Sequence, residues 1–105
     1  MQPKTIDWKE TGSRLEALRH GNLNLRRNVC QQLRYHLGNC AGDCKNCTSE
    51  MDNSISRNEL SQVFLVSENT ITNWERGTTP VGVEDLLFYC ELTGLSIEEL
   101  LVFQS

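Results

Sequence analysis

Five cysteines stand in this chain, Cys30, Cys40, Cys44, Cys47 and Cys90, and the first four fall within eighteen residues in the spacing C-x9-C-x3-C-x2-C. Close-spaced thiols in a chain without a secretory leader favour metal over disulfides. Structural Zn²⁺ takes four thiolate or imidazole ligands in a tetrahedron. Cys44-Lys-Asn-Cys47 is a C-x2-C turn that points two thiolates at one ion, and Cys40 reaches the same point through the flexible Ala41-Gly42. Cys30 is the candidate fourth ligand, with His36 and Cys90 as alternatives for that place. The segment GNCAGDCKNC has almost nothing apolar that could bury three thiols instead. The same four thiolates could hold a [4Fe–4S] cluster and add redox sensing. Zinc is the expected metal, because nothing else in the sequence demands redox chemistry. Cys90 reads as a small core residue and His36 as a surface histidine.

A second group of residues has a different chemistry. The segment ENTITNWER, residues 68–76, places Ile71 and Trp74 on one side of a helical wheel at about 100° per residue, with Thr70 on their border. Glu68, Asn69, Thr72, Asn73 and Arg76 share the opposite arc. These side chains are short, polar and rich in hydrogen-bonding groups, which suits the edges of DNA bases in a major groove. A helix of an ordinary bundle divides its faces in the same way.

Several elements must position these groups. Residues 55–77 read as two short helices and a tight turn. Ser56 and Glu59 have capping-box spacing, and Leu60, Val63 and Phe64 share a face. Leu65-Val66 turns, Ser67 caps the second helix and Gly77 stops it. Upstream, residues 22–37 read as a helix on which Leu25, Val29, Leu33, Leu37, Cys30 and Leu23 span an arc of about 160°. Arg26 interrupts that arc, while Arg27 and Arg34 lie outside it. A chain reversal at Gly38 would lay the cysteine loop back towards Cys30. Residues 48–54 read as linker. The first helix is expected to start at Thr11-Gly12-Ser13 and to bury Leu15 and Leu18. Beyond Pro80, residues 83–93 form a helix with Leu86, Leu87 and Cys90 inward, ended by Gly94. Ser96 and Glu99 form another capping box, for a last helix with Leu100 and Leu101 and an apolar tail at Val102-Phe103.

VSENTITNWERGTTP resembles the recognition-helix segment of the Xre/Cro (lambda-repressor-like) helix-turn-helix family, where a V-S-x-x-x-I-x-x-W-E-x-G pattern precedes a loop and a proline. The matching residues are Val66, Ser67, Ile71, Trp74, Glu75, Gly77 and Pro80. IDWKETGSRLEALR is similar to the first helix of one branch of that family, through Thr11, Gly12, Arg14, Leu15, Leu18 and Arg19. LRYHLG, residues 33–38, also resembles the end of such a helix, but the T-G pattern fits more positions. The resemblance implies an all-α, lambda-repressor-like five-helix DNA-binding domain spanning residues 1–105. Residues 20–54 then form an insertion, an added helix plus a metal-binding cysteine loop, between the first and second helices. It also implies that Arg19 pairs with Glu75. Glu68, Asn69, Thr70 and Asn73 become the candidates for base edges, and Arg57 and Arg76 the candidates for phosphates. The cysteine trio is also similar to the radical-SAM cluster motif, but 105 residues cannot supply that barrel beside a helix-turn-helix.

The net charge of −4 argues against indiscriminate polyanion binding. All ten Lys and Arg lie in residues 1–76 beside nine acids, whereas residues 77–105 carry five acids and no base, so any phosphate contact depends on a local patch. The arginines of the insertion, Arg26, Arg27 and Arg34, with Lys45, would extend such a patch along the DNA backbone. No apolar run approaches the roughly 18 residues of a membrane span, and neither a signal-peptide pattern nor a catalytic constellation is present. The expectation is a cytoplasmic, non-enzymatic transcriptional regulator. It binds double-stranded DNA as a homodimer, carries structural zinc and has no evident small-molecule substrate. The competing expectation is a protein-binding module, an antitoxin or phage-type adaptor on the same fold. Its surface would be the acidic helices from residue 83 onward with an exposed Val102-Phe103 end.

Overall fold

Asp7 decides where the chain first becomes helical. Its carboxylate accepts from the Glu10 backbone N–H at 3.1 Å, so helix α1 runs Trp8–Gly21 and starts earlier than the expected Thr11. Thr11 and Gly12 are therefore interior positions. The computed structural model describes residues 5–34 and 54–104. Helix α2, Leu23–Val29, is capped by the Asn22 side chain. It passes into a π-helical turn, Cys30–Arg34, whose larger number of residues per turn takes the side chains within it out of the α-helical register. Leu25, Val29 and Cys30 are buried as the arc required, but Leu23, at its rim, is exposed.

The central pair forms as the caps dictate. Helix α3 spans Arg57–Phe64, with the Ser56–Glu59 capping box closed in both directions. Leu65 then takes a left-handed conformation, φ 59°, and Ser67 caps helix α4, Glu68–Arg76. Gly77, φ 74°, ends α4, and a glycine is the residue that adopts this geometry without strain. Helix α5, Val83–Thr93, ends at Gly94, and helix α6, Ile97–Leu100, opens with the Ser96–Glu99 capping box.

Leu15, Leu25, Ile55, Leu60, Ile71 and Leu100 are fully buried in one core. Phe64 stands at its aromatic centre, 4.6 Å from Tyr89 and 5.5 Å from Trp74 between ring centroids. Tyr89 is buried without a hydrogen-bond partner for its hydroxyl among the described residues, and burial drives its pKa far above the ordinary phenol range. On α5 the buried residues are Leu86, Tyr89, Leu92 and Thr93. Leu87 was expected inward but is 54% exposed, because the core lies on the arc centred between Leu86 and Tyr89. Cys90 is half-buried.

The C-terminal tail is not an exposed end. Phe103 forms an antiparallel bridge with Ile6, and the Asp7 N–H donates to the Val102 carbonyl at 2.8 Å. Val102 and Phe103 are accordingly half-buried, which removes them from the surface assigned to a protein partner. The architecture is all-α, as expected, with six helices and no strand beyond that bridge among the described residues. No described helix is long and apolar enough to cross a membrane.

Candidate nucleic-acid interface

Helix α4 is held from beneath by apolar and ionic contacts together. Ile71, Trp74 and Glu75 are its buried residues. The Glu75 carboxylate, fully buried, receives a fork from Arg19 on α1: Nε at 2.7 Å and Nη2 at 3.0 Å. Arg19 also donates through Nη1 to the Ile55 carbonyl at 2.9 Å, just ahead of α3. A paired, hydrogen-bonded ion couple of this kind is a condition for burying charge. The expected Arg19–Glu75 pair is therefore present, and it joins α1, α3 and α4.

The other residues of the T-G-x-R pattern also have visible tasks. Thr11 Oγ1 accepts from the Val102 N–H at 2.9 Å. Arg14 donates to the Glu99 and Leu101 carbonyls at 2.8 and 3.2 Å, which otherwise end α6 unsatisfied. Gly12 lies directly against α4, where an added Cβ would stand 2.5 Å from the carbonyl oxygens of Trp74 and Glu75.

The face of α4 opposite these anchors carries the candidate base contacts. Glu68, Asn69 and Arg76 are exposed, and Thr70 and Asn73 are half-buried. Nothing among the described residues holds the Asn69 carboxamide. Asn73 Oδ1 accepts from the Thr78 hydroxyl at 3.3 Å, and the Thr70 hydroxyl shares a hydrogen bond with Ser67 at 2.8 Å. Arg57 sits differently. Its Nε donates to Glu75 Oε1 at 2.9 Å, and that hydrogen bond, then the charge of Glu75, holds its pKa above the ordinary arginine range. The structure thus leaves Glu68, Asn69 and Arg76 exposed on α4, holds Thr70 and Asn73 half-buried by local hydrogen bonds, and ties Arg57 to the helix's buried Glu75. Sequence reasoning missed Lys9, an exposed cation whose backbone touches Gly77 at the C-terminal end of α4. Its signal was the Asp7 cap, which places Lys9 in the first turn of α1.

Residues 52–100 match the family model described as helix-turn-helix. They form an Xre/lambda-repressor-like helix-turn-helix domain. That family is one of DNA-binding regulators. The match takes in α3 to α6, while α1 and α2 precede it. No curated protein and no solved structure matches the chain.

The segment ahead of the helix-turn-helix is tied to it by Arg34. Its guanidinium forks onto Glu59 of α3, Nε–Oε2 2.6 Å and Nη2–Oε1 2.9 Å, and reaches the Ser54 carbonyl at 3.3 Å. The Arg34 hydrogen bond holds the Glu59 carboxyl below its usual range, although partial burial opposes it. Arg34 was expected as an outward cation for the DNA backbone; the π-helical turn instead directs it onto α3. Arg27 remains exposed. Cys30 is buried, and Arg34 Nη1 lies 3.8 Å from its sulfur as a donor. Cys40, Cys44, Cys47, His36 and Lys45 lie outside the described residues. Among those described, no three His, Cys, Asp or Glu side chains gather. Cys90 suits packing better than ligation, because burial raises its thiol pKa.

Proposed function

We propose that this chain is a sequence-specific, non-enzymatic transcriptional regulator of the cytoplasm, with α4 entering the DNA major groove. The observation that carries this reading is the outer face of α4, where Asn69 and Asn73 stand on a helix anchored by Ile71, Trp74 and the Glu75 ion pair. A carboxamide can pair with adenine N6/N7, and the Glu68 carboxylate can accept from cytosine N4. Arg76 supplies a phosphate contact at the C-terminal end of α4, where Lys9 lies against Gly77, and Arg57 supplies another from the start of α3. Asn69→Ala and Asn73→Ala should each lose about 1–3 kcal/mol of base discrimination. Selection of binding sites from a randomised duplex pool measures this. If both variants select the wild-type sequence with unchanged stringency, α4 does not read bases.

We further propose that α1 serves as the family's first helix and that residues 20–54 are an insertion carrying a zinc clip of Cys30, Cys40, Cys44 and Cys47. A clip of this kind supplies folding energy to a loop without a core of its own. One zinc per chain in a colourless protein is the expected result of metal analysis on anaerobically purified material. Brown absorbance would replace zinc by a [4Fe–4S] cluster. Binding as a homodimer predicts two half-sites about one helical turn apart. A second reading, a protein-binding module, is favoured by Val83 and Leu87, exposed one turn apart on α5 beside Glu84 and Glu91. A gel-shift screen against the protein's own upstream DNA separates the two.

A further inference from the structure

We propose that Glu16 is a built-in competitor for the DNA phosphate, occupying the outer edge of the Arg57 guanidinium until DNA displaces it. This rests on the DNA-binding reading above. The two edges of Arg57 are held unequally. The inner edge, Nε, donates to Glu75 at 2.9 Å, a carboxylate that is fully buried and already gripped by Arg19. The outer edge, Nη2, lies 3.7 Å from Glu16 Oε2, beyond hydrogen-bond length, and both partners reach solvent: Arg57 is 27% and Glu16 44% exposed. A loose exposed ion pair is weak and exchanges readily, whereas a buried fork is not given up. Arg57 is therefore fixed at one edge and exchangeable at the other.

The local charge makes the competition matter. Arg57 and Arg19 share their surroundings with Glu75, Glu16 and Glu68, the last close enough to add to the field on Arg57. Two positive charges against three negative ones leave this end of the reading face at about −1 by formal count. A phosphate arriving there meets repulsion unless it takes the place of Glu16. Glu16 belongs to α1, outside the matched helix-turn-helix, so this is a property of how this chain covers the start of α3.

Glu16→Gln keeps the shape of an exposed side chain, so its thermal melting should match that of the wild type. Its binding to the duplex obtained by site selection should tighten about two- to fivefold at low salt, the scale of an exposed ion pair. The slope of log affinity against log salt should steepen by up to about one. Binding is then measured on duplexes carrying a single neutral methylphosphonate at each position in turn. The Glu16→Gln gain should vanish at one phosphate only, the same one at which Arg57→Ala no longer weakens binding. An unchanged affinity for Glu16→Gln beside a wild type that binds overturns this proposal and leaves the DNA reading standing. A gain spread evenly over all phosphates overturns it too, because it shows bulk charge rather than competition. A wild type that binds no duplex from the pool removes the DNA reading and this proposal with it.

Discussion

Glu75→Gln should destabilise the protein by about 3–5 kcal/mol, the effect of removing one partner from a buried ion pair. The substitution nearly preserves volume, so it isolates charge and hydrogen bonding from packing. Glu75 now accepts from Arg19 twice and from Arg57 once. An amide offers a single oxygen and turns an NH2 group towards a guanidinium that can only donate. Arg57 can swing to water, but Arg19 is only 7% exposed and keeps the Ile55 carbonyl and at most that one amide oxygen, with no carboxylate to balance its charge. The uncompensated charge is what makes the loss large. Urea denaturation followed by the fluorescence of the two tryptophans measures it. A loss below about 1 kcal/mol would mean that the pair contributes little beyond its own desolvation. The double replacement Arg19→Met with Glu75→Leu should cost less than Glu75→Gln alone, because it leaves no buried arginine unpaired.

The same pair shows what could be read from the chain and what could not. Local signals carried through: Ser56 with Glu59, Ser67, Gly77 and Ser96 with Glu99 cap where their spacing says they should. A cap is a contact within four residues, so sequence order is nearly enough to specify it. The two faces of α4 follow from helical period for the same reason. Arg19 and Glu75 are 56 residues apart, and only the family pattern linked them. Arg34 shows the limit of periodicity. A wheel drawn at a constant angle placed it outward, but the π-helical turn changes that angle, and Glu59 lies 25 residues away. Leu87 failed differently. An apolar residue next to Leu86 looks internal, but the side of α5 that meets the core is set by where Phe64 and Trp74 stand. Glu16 carried no motif at all; its interest arises only because α1 brings it beside Arg57. Among the candidate base contacts, the sequence could name the face but not the internal bonds that hold Thr70 and Asn73.

Gly12→Ala should destabilise the protein by about 1–3 kcal/mol, the usual range for overpacking a tight contact. It should do so against helix propensity, which favours alanine over glycine by about 1 kcal/mol in a helix interior. The steric effect wins because of what the new methyl meets. Its Cβ would lie 2.5 Å from the Trp74 and Glu75 carbonyl oxygens and 2.8 Å from the Glu75 carbonyl carbon, all backbone of α4. No side chain can rotate aside, so α1 must move off α4. That movement lengthens the Arg19–Glu75 fork and the Thr11 and Arg14 contacts with the C-terminal segment. Gly21 provides the internal control. It is the last residue of the same helix, and a Cβ there meets nothing within 4 Å. Gly21→Ala should therefore be neutral or stabilising by up to about 1 kcal/mol. Urea midpoints for the two variants should fall on opposite sides of the wild type, or at least differ by more than 1 kcal/mol in free energy, a margin on the order of the propensity term. Equal midpoints would show that the approach of α1 to α4 is looser than these distances imply. Because α1 fixes the buried side of α4, the Gly12 variant should also weaken DNA binding at temperatures where it is still folded, whereas the Gly21 variant should not.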